Sequence, residues 1–199
     1  MPAKPSPAAD LSARERILAT AHDLFYRDGI RATGVDRLIA ESGVAKLTFY
    51  RHFASKDALV REFLDFRHCR WMAWFIDALG RRGAASPAEG HARLLLLADV
   101  LQEWTEQPDF RGCAFINSVV EIAQALPEAV DIARDHKAEM TQVIAELLPD
   151  GATRMLLADA AALVFDGAIV RAQMAGDASG RAAAVATLRT VLGTLVARR

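Results

Sequence analysis

Residues 33–53 of the chain read TGVDRLIAESGVAKLTFYRHF. Apolar side chains recur at helical spacing between Val35 and Ile39, and Gly43 ends this first short helix. A second helix is predicted from about Ala45 to His52. Because a glycine between two short helices lets the second leave at a steep angle, this arrangement is typical of a helix-turn-helix.

The predicted second helix has one face for packing and another for contact. Val44, Phe49 and Phe53 share a side and are expected to anchor the helix to the two helices before it. The other positions carry hydroxyl groups, cations and an amphipathic ring, which suit the phosphates and base edges of a DNA major groove. These candidate DNA-binding residues are Lys46, Leu47, Thr48, Tyr50, Arg51 and His52.

A family resemblance rests on the same stretch. Residues 43–53, GVAKLTFYRHF, followed by SKDAL at residues 55–59, resemble the recognition segment of TetR-type transcriptional regulators. The similarity extends over residues 12–62 and weakens beyond them. It implies a three-helix N-terminal head that reads DNA and a larger helical body for regulation and dimerisation. The alternative is an ordinary pair of core helices, in which the side chains of Tyr50, His52 and Phe53 only pack.

The resemblance also implies a role for each matching position on the second helix. Lys46, Leu47 and Thr48 would open the recognition helix and approach base edges. Tyr50 and His52 would contact backbone phosphates. Reading of sequence and positioning on the duplex are thus assigned to different side chains.

Two further positions, Lys56 and Thr33, complete the predicted interface. Lys56 would meet a phosphate at the start of the chain's fourth helix, since a helix N-terminus favours an anion. Thr33 would do so at the start of the chain's second helix, which is the first helix of the motif. Arg37 is interpreted as solvated or ion-paired, whereas Arg51 stays open between a DNA contact and a solvated cation. Ala45 stands where the family often has a capping serine. Losing a cap costs about 1 kcal/mol, so we expect the recognition helix to be fully ordered only on DNA.

Capping and helix-breaking residues divide the chain into about nine helices, with no strands and no repeats. Ser12 and Glu15 form a capping box that opens the first helix. The predicted organisation is a mobile arm over residues 1–11, a helix-turn-helix domain over 12–55, and a ligand-binding and dimerisation domain over 56–199. The predicted fold class is all-α.

The fourth helix is predicted to be long. Ser55 caps it, and apolar side chains continue to about Leu79. A loop is expected over residues 81–86. Ser86-Pro87 then combines a cap with a proline at the first helical position, which predicts a further helix to about Glu106.

Composition limits the classes of protein to consider. The chain has 199 residues, 52% of them hydrophobic, which is ample for a core. Its net charge is -1, but residues 1–61 carry ten Lys and Arg against seven Asp and Glu, so a basic head precedes an acidic body. The two cysteines are far apart and no HxxxH pair exists, so neither a disulfide framework nor a metal or cofactor site is predicted. Without a signal peptide or a long apolar run, we expect a soluble cytoplasmic protein.

The body is predicted to hold an effector pocket. The fourth helix is apolar on more than one face, so it must be widely buried or line a cavity. Residues 113, 117, 121 and 124 recur at spacings of four and three and form a polar stripe that would anchor a ligand. The alternatives are core packing for the aromatic side chains, and a solvated face or a core network for the stripe. The candidate pocket residues are Phe66, Trp71, Trp74, Phe75, Trp104, Cys113, Asn117, Glu121 and Phe165.

The last two helices supply a candidate dimer interface. Their leucines and valines approach a heptad-like seam, and Gly193 with several alanines allows close approach. In the family, such helices pair across a two-fold axis as a four-helix bundle. The core of a monomer is the alternative. The candidate interface residues are Leu156, Leu163, Leu188, Val191, Leu192 and Leu195.

Three classes of function are compared. The favoured one is a homodimeric regulator, by family default a repressor that a small-molecule effector releases from a near-palindromic DNA operator. A helical enzyme is the second, but the chain has no GxSxG elbow, phosphate loop or metal-ligand spacing, and nothing links Glu121, His136 and Asp166. No catalytic residue is therefore assigned. The third is an architectural DNA-binding protein without an effector, which would not need an aromatic-lined body.

Overall fold

The computed structural model describes residues 11–85 and 88–197. The predicted arm over residues 1–11 lies outside these ranges except for Leu11. The predicted helix start at Ser86 and Pro87 lies outside them as well. Within the described ranges, no helix is both long enough and apolar enough to span a membrane.

Over these residues the chain forms nine α-helices and one 3₁₀ helix without a β-strand, which confirms the all-α prediction. The α-helices are α1 (Ala13–Asp28), α2 (Val35–Ser42), α3 (Lys46–His52), α4 (Lys56–Ala85), α5 (Leu96–Thr105), α6 (Ala114–Ile122), α7 (Glu128–Ala145), α8 (Arg154–Met174) and α9 (Ala178–Ala197). The 3₁₀ helix, Gly90–Leu95, leads directly into α5, so the helix predicted to begin near residue 87 opens with tighter turns.

Helix α1 begins as its capping residues predict. The Ser12 side chain accepts a hydrogen bond from the backbone N–H of Glu15, and the Glu15 carboxylate accepts one from the backbone N–H of Ser12 at 2.8 Å. Gly29 follows the last helical residue with φ 92° and ψ 154°. Its φ is positive, but this is not the left-handed helical conformation that a helix-ending glycine usually adopts.

Helix α4 is longer than predicted, because residues 81–85 continue it where a loop was expected. Side-chain contacts explain the extra turns. Arg81 donates to Asp77 one turn earlier at 2.7 Å, and both Arg81 and Arg82 donate to Glu103 on α5. A carboxylate on another helix therefore stabilises the end of α4, which local sequence signals do not report.

The chain divides into two compact units. The described residues of ranges 1–67 and 114–132 form the first, which contains α1, α2, α3, the beginning of α4 and all of α6. The described residues of ranges 68–113 and 133–199 form the second, which contains α5, α8 and α9. The division falls inside α4, and the predicted domain boundary at residue 55 stays a prediction.

The core of the first unit joins α1 to α2 and α3. Ile17 of α1, Leu38 of α2 and Phe49 of α3 have no exposed surface. Phe63 of α4 meets Phe25 of α1 edge to face, with ring centroids 5.3 Å apart. In the second unit, α5, α8 and α9 pack against one another around fully buried side chains such as Leu97, Phe165, Ile169 and Leu192.

Candidate nucleic-acid interface

Helices α2 and α3 form the predicted helix-turn-helix in the first unit. Gly43 ends α2 with φ 64° and ψ 33°, the left-handed conformation that favours glycine. The backbone N–H groups of Gly43 and Val44 donate back to the carbonyls of Ala40 and Ile39. Three residues thus turn the chain sharply between the two helices.

The packing face of α3 is confirmed. Phe49 and Phe53 are buried, and Val44 is half-buried. The absence of a cap is confirmed too: Ala45 precedes α3, and no side chain caps its first turn. Two buried phenylalanines therefore hold a seven-residue helix that has no N-terminal cap.

The opposite face of α3 is open to solvent. The side chain of Leu47 is 81% exposed and that of Tyr50 44% exposed. Lys46 and Arg51 are also exposed, while Thr48 and His52 are half-buried. All six predicted DNA-binding residues of α3 therefore have at least part of their surface accessible to a partner.

The charges near α3 divide into paired and available cations. Arg37 of α2 donates to Glu41 at 2.7 Å and to Asp28 at 2.8 Å, which confirms the interpretation that it is ion-paired. The Lys46 ammonium comes no closer than 4.0 Å to Asp36, and both side chains are well exposed. Arg51 forms no ion pair with any described residue. The Lys46 and Arg51 side chains are thus the exposed cations of α3 without a close ion pair among the described residues.

Thr33 does not lie where it was predicted. Helix α2 begins at Val35, and Gly34 rather than Thr33 occupies the capping position. The Thr33 side chain is completely buried and donates to the carbonyl of Gly29 at 2.8 Å. A hydroxyl buried in this way closes the α1–α2 connection, so the predicted phosphate contact by this side chain is corrected.

Lys56 has a partner within the first unit. Its ammonium donates to the carbonyl of Ile30 at 2.6 Å and ties the start of α4 to the α1–α2 connection. Burial lowers the pKa of Lys56, against the opposing charges of Asp57 and Glu121. An ammonium has three N–H donors, so a phosphate contact remains compatible with this bond and stays a prediction.

Glu121, which is predicted to anchor a ligand, has a partner within the first unit, and its place in a pocket stays a prediction. It lies near the end of α6 in the first unit, where its carboxylate accepts a hydrogen bond from the backbone N–H of Arg31 at 3.0 Å. A Cβ at Gly29 would approach the same carboxylate at 3.2 Å. No sequence signal pointed to this role, because the partner is a main-chain group far away along the chain.

The predicted pocket residues divide between the two units. Phe66, Asn117 and Glu121 belong to the first unit, and Phe66 meets the His22 ring edge to face at 5.6 Å. The others belong to the second, where five of them form an aromatic cluster: Trp71, Trp74, Phe75, Trp104 and Phe165. Sequence reasoning missed two further members, Phe110 and His136.

A thiol and a cavity of the second unit also bear on the predicted pocket. Cys113 is a buried free thiol, as a small core side chain would be. A cavity of about 650 Å³ is bordered by the end of α4, the 3₁₀ helix and the end of α7, and includes Gly80, Gly83 and Leu147. None of the predicted pocket residues lines this cavity.

The predicted dimer residues also separate into two groups. Leu188 and Leu192 of α9 are buried within the chain itself, so their assignment to a subunit interface is corrected. Val191 and Leu195 are half-buried. On α8, Leu156 is 68% and Leu163 75% exposed, and Met174, which sequence reasoning missed, is 80% exposed.

Comparison with known proteins covers both the DNA-binding segment and the whole fold. Residues 17–63 match the family model described as bacterial regulatory proteins, tetR family. A TetR-type transcriptional regulator from Streptomyces avermitilis is 31% identical, over 94% of this chain and 99% of that one, with a TM-score of 0.73. The chain belongs to the TetR family. A TetR-family regulator from Streptomyces coelicolor is 28% identical over 92% of this chain and 95% of that one, with a TM-score of 0.75.

A curated relative of this TetR-family protein covers a shorter stretch. The HTH-type transcriptional repressor KstR2 of Mycobacterium tuberculosis is 30% identical over 118 residues, which are 50% of this chain and 56% of that repressor. The match therefore spans less than two thirds of the relative's length. Family membership makes the protein a DNA-binding transcriptional regulator, with α2 and α3 inside the matched segment.

Proposed function

We propose that this TetR-family protein is a dimeric repressor that a small-molecule effector releases from a near-palindromic operator. The exposed face of α3 carries the proposal. There, an almost fully exposed leucine lies beside cations that have no close carboxylate partner among the described residues. The repressor role is supported by the name of the relative KstR2, and the other parts of the proposal are argued below.

Recognition is assigned to the start of α3. Lys46 and Thr48 offer donors to base edges, and Leu47 offers an apolar surface that fits the methyl group of thymine. Packing within the chain does not explain a leucine at this position, because the Leu47 side chain is 81% exposed. Tyr50, Arg51 and His52 would hold phosphates and fix the register of the helix on the duplex.

Dimerisation is assigned to the outer face of α8. Leu156, Leu163 and Met174 are separated by 7 and 11 residues, which are near-whole numbers of helical turns, so they form one row. Three large exposed apolar side chains on one face favour burial against a second copy. One head would read only half of a symmetric site, and a dimer reads both halves.

Coupling between effector and DNA is assigned to α4. This helix contributes Lys56, which holds the Ile30 carbonyl, and also Trp71 of the aromatic cluster. A ligand that packs differently against Trp71 in two states would shift the helix. The ligand must bind the two states with different affinity, and coupling of about 1–3 kcal/mol would change DNA affinity about 5–150-fold.

The test begins with selection of binding sites from random duplex DNA, followed by footprinting. We expect two inverted half-sites about 34–36 Å apart, or a multiple of that distance. Small molecules that raise the melting temperature are then tested for release of the selected operator. A single half-site bound with full affinity would contradict the dimeric proposal, and bound molecules that never change operator affinity would contradict effector control.

A further inference from the structure

The three tryptophans of the chain meet in one cluster of the second unit. The ring centroids of Trp71 and Trp104 are 5.5 Å apart, and Trp74 lies 6.1 Å from the first and 6.0 Å from the second. Phe75 stacks on Trp71 at 4.8 Å. Trp71 and Trp104 are buried, whereas Trp74 is half-buried, so the cluster reaches the protein surface at Trp74.

One polar atom of the cluster has no partner. Trp71 is only 6% exposed, and its indole nitrogen Nε1 is buried without a hydrogen-bond acceptor among the described residues. A buried indole N–H usually finds a partner, because leaving it unpaired is costly. Aromatic packing explains why the ring is buried, but it does not explain an orphaned donor.

A water in place of the missing acceptor would find few polar partners. A buried water typically needs two to four of them. Of the four rings packed on Trp71, those of Trp74, Phe75 and Trp104 offer no acceptor, since an indole nitrogen only donates, and His136 is the one ring with a nitrogen that can accept. The surroundings of Trp71 therefore suit a flat apolar group that carries its own acceptor.

The polar side of the cluster is built from two histidines. His136 is buried, with its ring 5.1 Å from that of Trp71. Its Nδ1 is 3.1 Å from Nδ1 of His68, whose Nε2 is 3.1 Å from the Glu139 carboxylate. The charged group beside the histidine pair is thus the Glu139 carboxylate. No cation lies over a ring of the cluster, because both cation–π contacts of the described residues are in the first unit. An uncharged acceptor fits this setting better than a carboxylate.

We propose that the tryptophan cluster binds a planar aromatic carbonyl compound, whose oxygen accepts a hydrogen bond from Trp71 Nε1. The aromatic rings stack on the flat part of the ligand. The ligand enters the cluster beside Trp74, because the cluster reaches the protein surface there. The inference rests on the proposed effector response and adds the chemistry of the effector. It also assigns Trp71 two separable roles: its ring packs in the cluster, and its indole N–H selects ligands that carry an acceptor oxygen.

The test compares two probes of matched shape, 2-acetylnaphthalene and 2-ethylnaphthalene, which differ in the acceptor oxygen. Both are titrated into the full chain while tryptophan fluorescence is followed, since every tryptophan lies in this cluster. We expect the acetyl compound to bind about tenfold more tightly, the factor of one net hydrogen bond. Trp71→Phe keeps an aromatic ring, removes the donor, and should bring the two affinities within about twofold.

Trp104→Phe is the matched control, because it removes an indole of the same cluster and leaves the Trp71 donor. It should keep the preference for the acetyl compound. Equal affinities for both probes in the unmodified chain, no binding of either, or an unchanged preference in Trp71→Phe would each overturn the inference. Release of operator DNA by a compound without an acceptor would overturn the inference while leaving the proposed function intact.

Discussion

The Glu121 carboxylate accepts a hydrogen bond from the backbone N–H of Arg31 at 3.0 Å. The residue before Arg31 is Ile30, whose carbonyl accepts from the Lys56 ammonium at 2.6 Å. Side chains from α6 and α4 thus hold two consecutive residues of the α1–α2 connection. Helix α2 begins only four residues after Arg31. These two hydrogen bonds, called the clamp below, therefore fix the segment that leads into the helix-turn-helix.

Removing the Glu121 carboxylate tests the clamp. Glu121→Ala should lower the free energy of unfolding by about 1–3 kcal/mol, because a backbone N–H loses a charged acceptor. Glu121→Gln keeps an acceptor oxygen and should lose less. Urea unfolding measures both, with Gln124→Ala, at an exposed position just after α6, as the control. Equal stability of the alanine variant and the unmodified chain would show that the bond contributes nothing.

Gly29→Ala tests the same connection from the other side. The positive φ of Gly29 opposes a side chain, and so do the Glu121 oxygens, which would lie 3.2 Å from an added Cβ. We expect a loss of about 1–3 kcal/mol in the free energy of unfolding. Gly34→Ala is the matched control, since φ there is -79° and a Cβ meets nothing within 4 Å. A loss of the same size in both variants would refute the explanation.

The exposed face of α3 predicts that some side chains recognise the base sequence and others hold the helix on the DNA backbone. Leu47→Ala, Lys46→Ala and Thr48→Ala should reduce the preference for operator over random DNA. Arg51→Ala should weaken binding to all sequences alike and flatten the salt dependence by about one unit of slope. Fluorescence anisotropy at several salt concentrations measures both effects, with Arg93→Ala in the second unit as the control. Identical losses on operator and random DNA for all four variants would argue against the division.

The ion pairs at the end of α4 predict an acid-dependent stability. Hydrogen bonds from Arg81, and then from Arg82, hold the pKa of Glu103 below its usual value, against the opposing effect of burial. A lowered carboxyl pKa contributes stability above about pH 4.5, which is lost as pH falls through the folded-state pKa. Glu103→Gln should therefore lower stability at neutral pH and flatten its fall in acid. Thermal melts from pH 3 to pH 7 measure this, and parallel curves for both chains would contradict it.

The corrected dimer interface is tested by two leucines. Leu163→Arg adds charge to an exposed position and should give folded monomers. Leu188→Arg places charge in the core and should unfold the chain, since a buried leucine contributes roughly 1.5–3 kcal/mol before any cost of burying the charge. Sedimentation reports assembly and circular dichroism reports folding. A Leu163→Arg protein that still sediments as a dimer would move the interface away from this face of α8.

Local signals in the sequence determined the helices of the head. Ser12 and Glu15 cap α1 through neighbours three residues apart, and Gly43 turns the chain through its own backbone freedom. The packing side of α3 was predictable because helical spacing places Phe49 opposite the polar positions, and Phe53, the extended residue that follows the helix, is buried as well. The run from Gly43 to Phe53 also carried the family resemblance.

Only the tertiary structure decided which side chains face a partner and which face the chain itself. Leu163 and Leu188 look alike in the sequence, yet one is exposed and the other is buried by neighbouring helices. Glu121 looked like part of a polar stripe until α6 met a backbone N–H of the α1–α2 connection. Helical periodicity says which residues share a face but not what covers it, because covering groups come from distant parts of the chain.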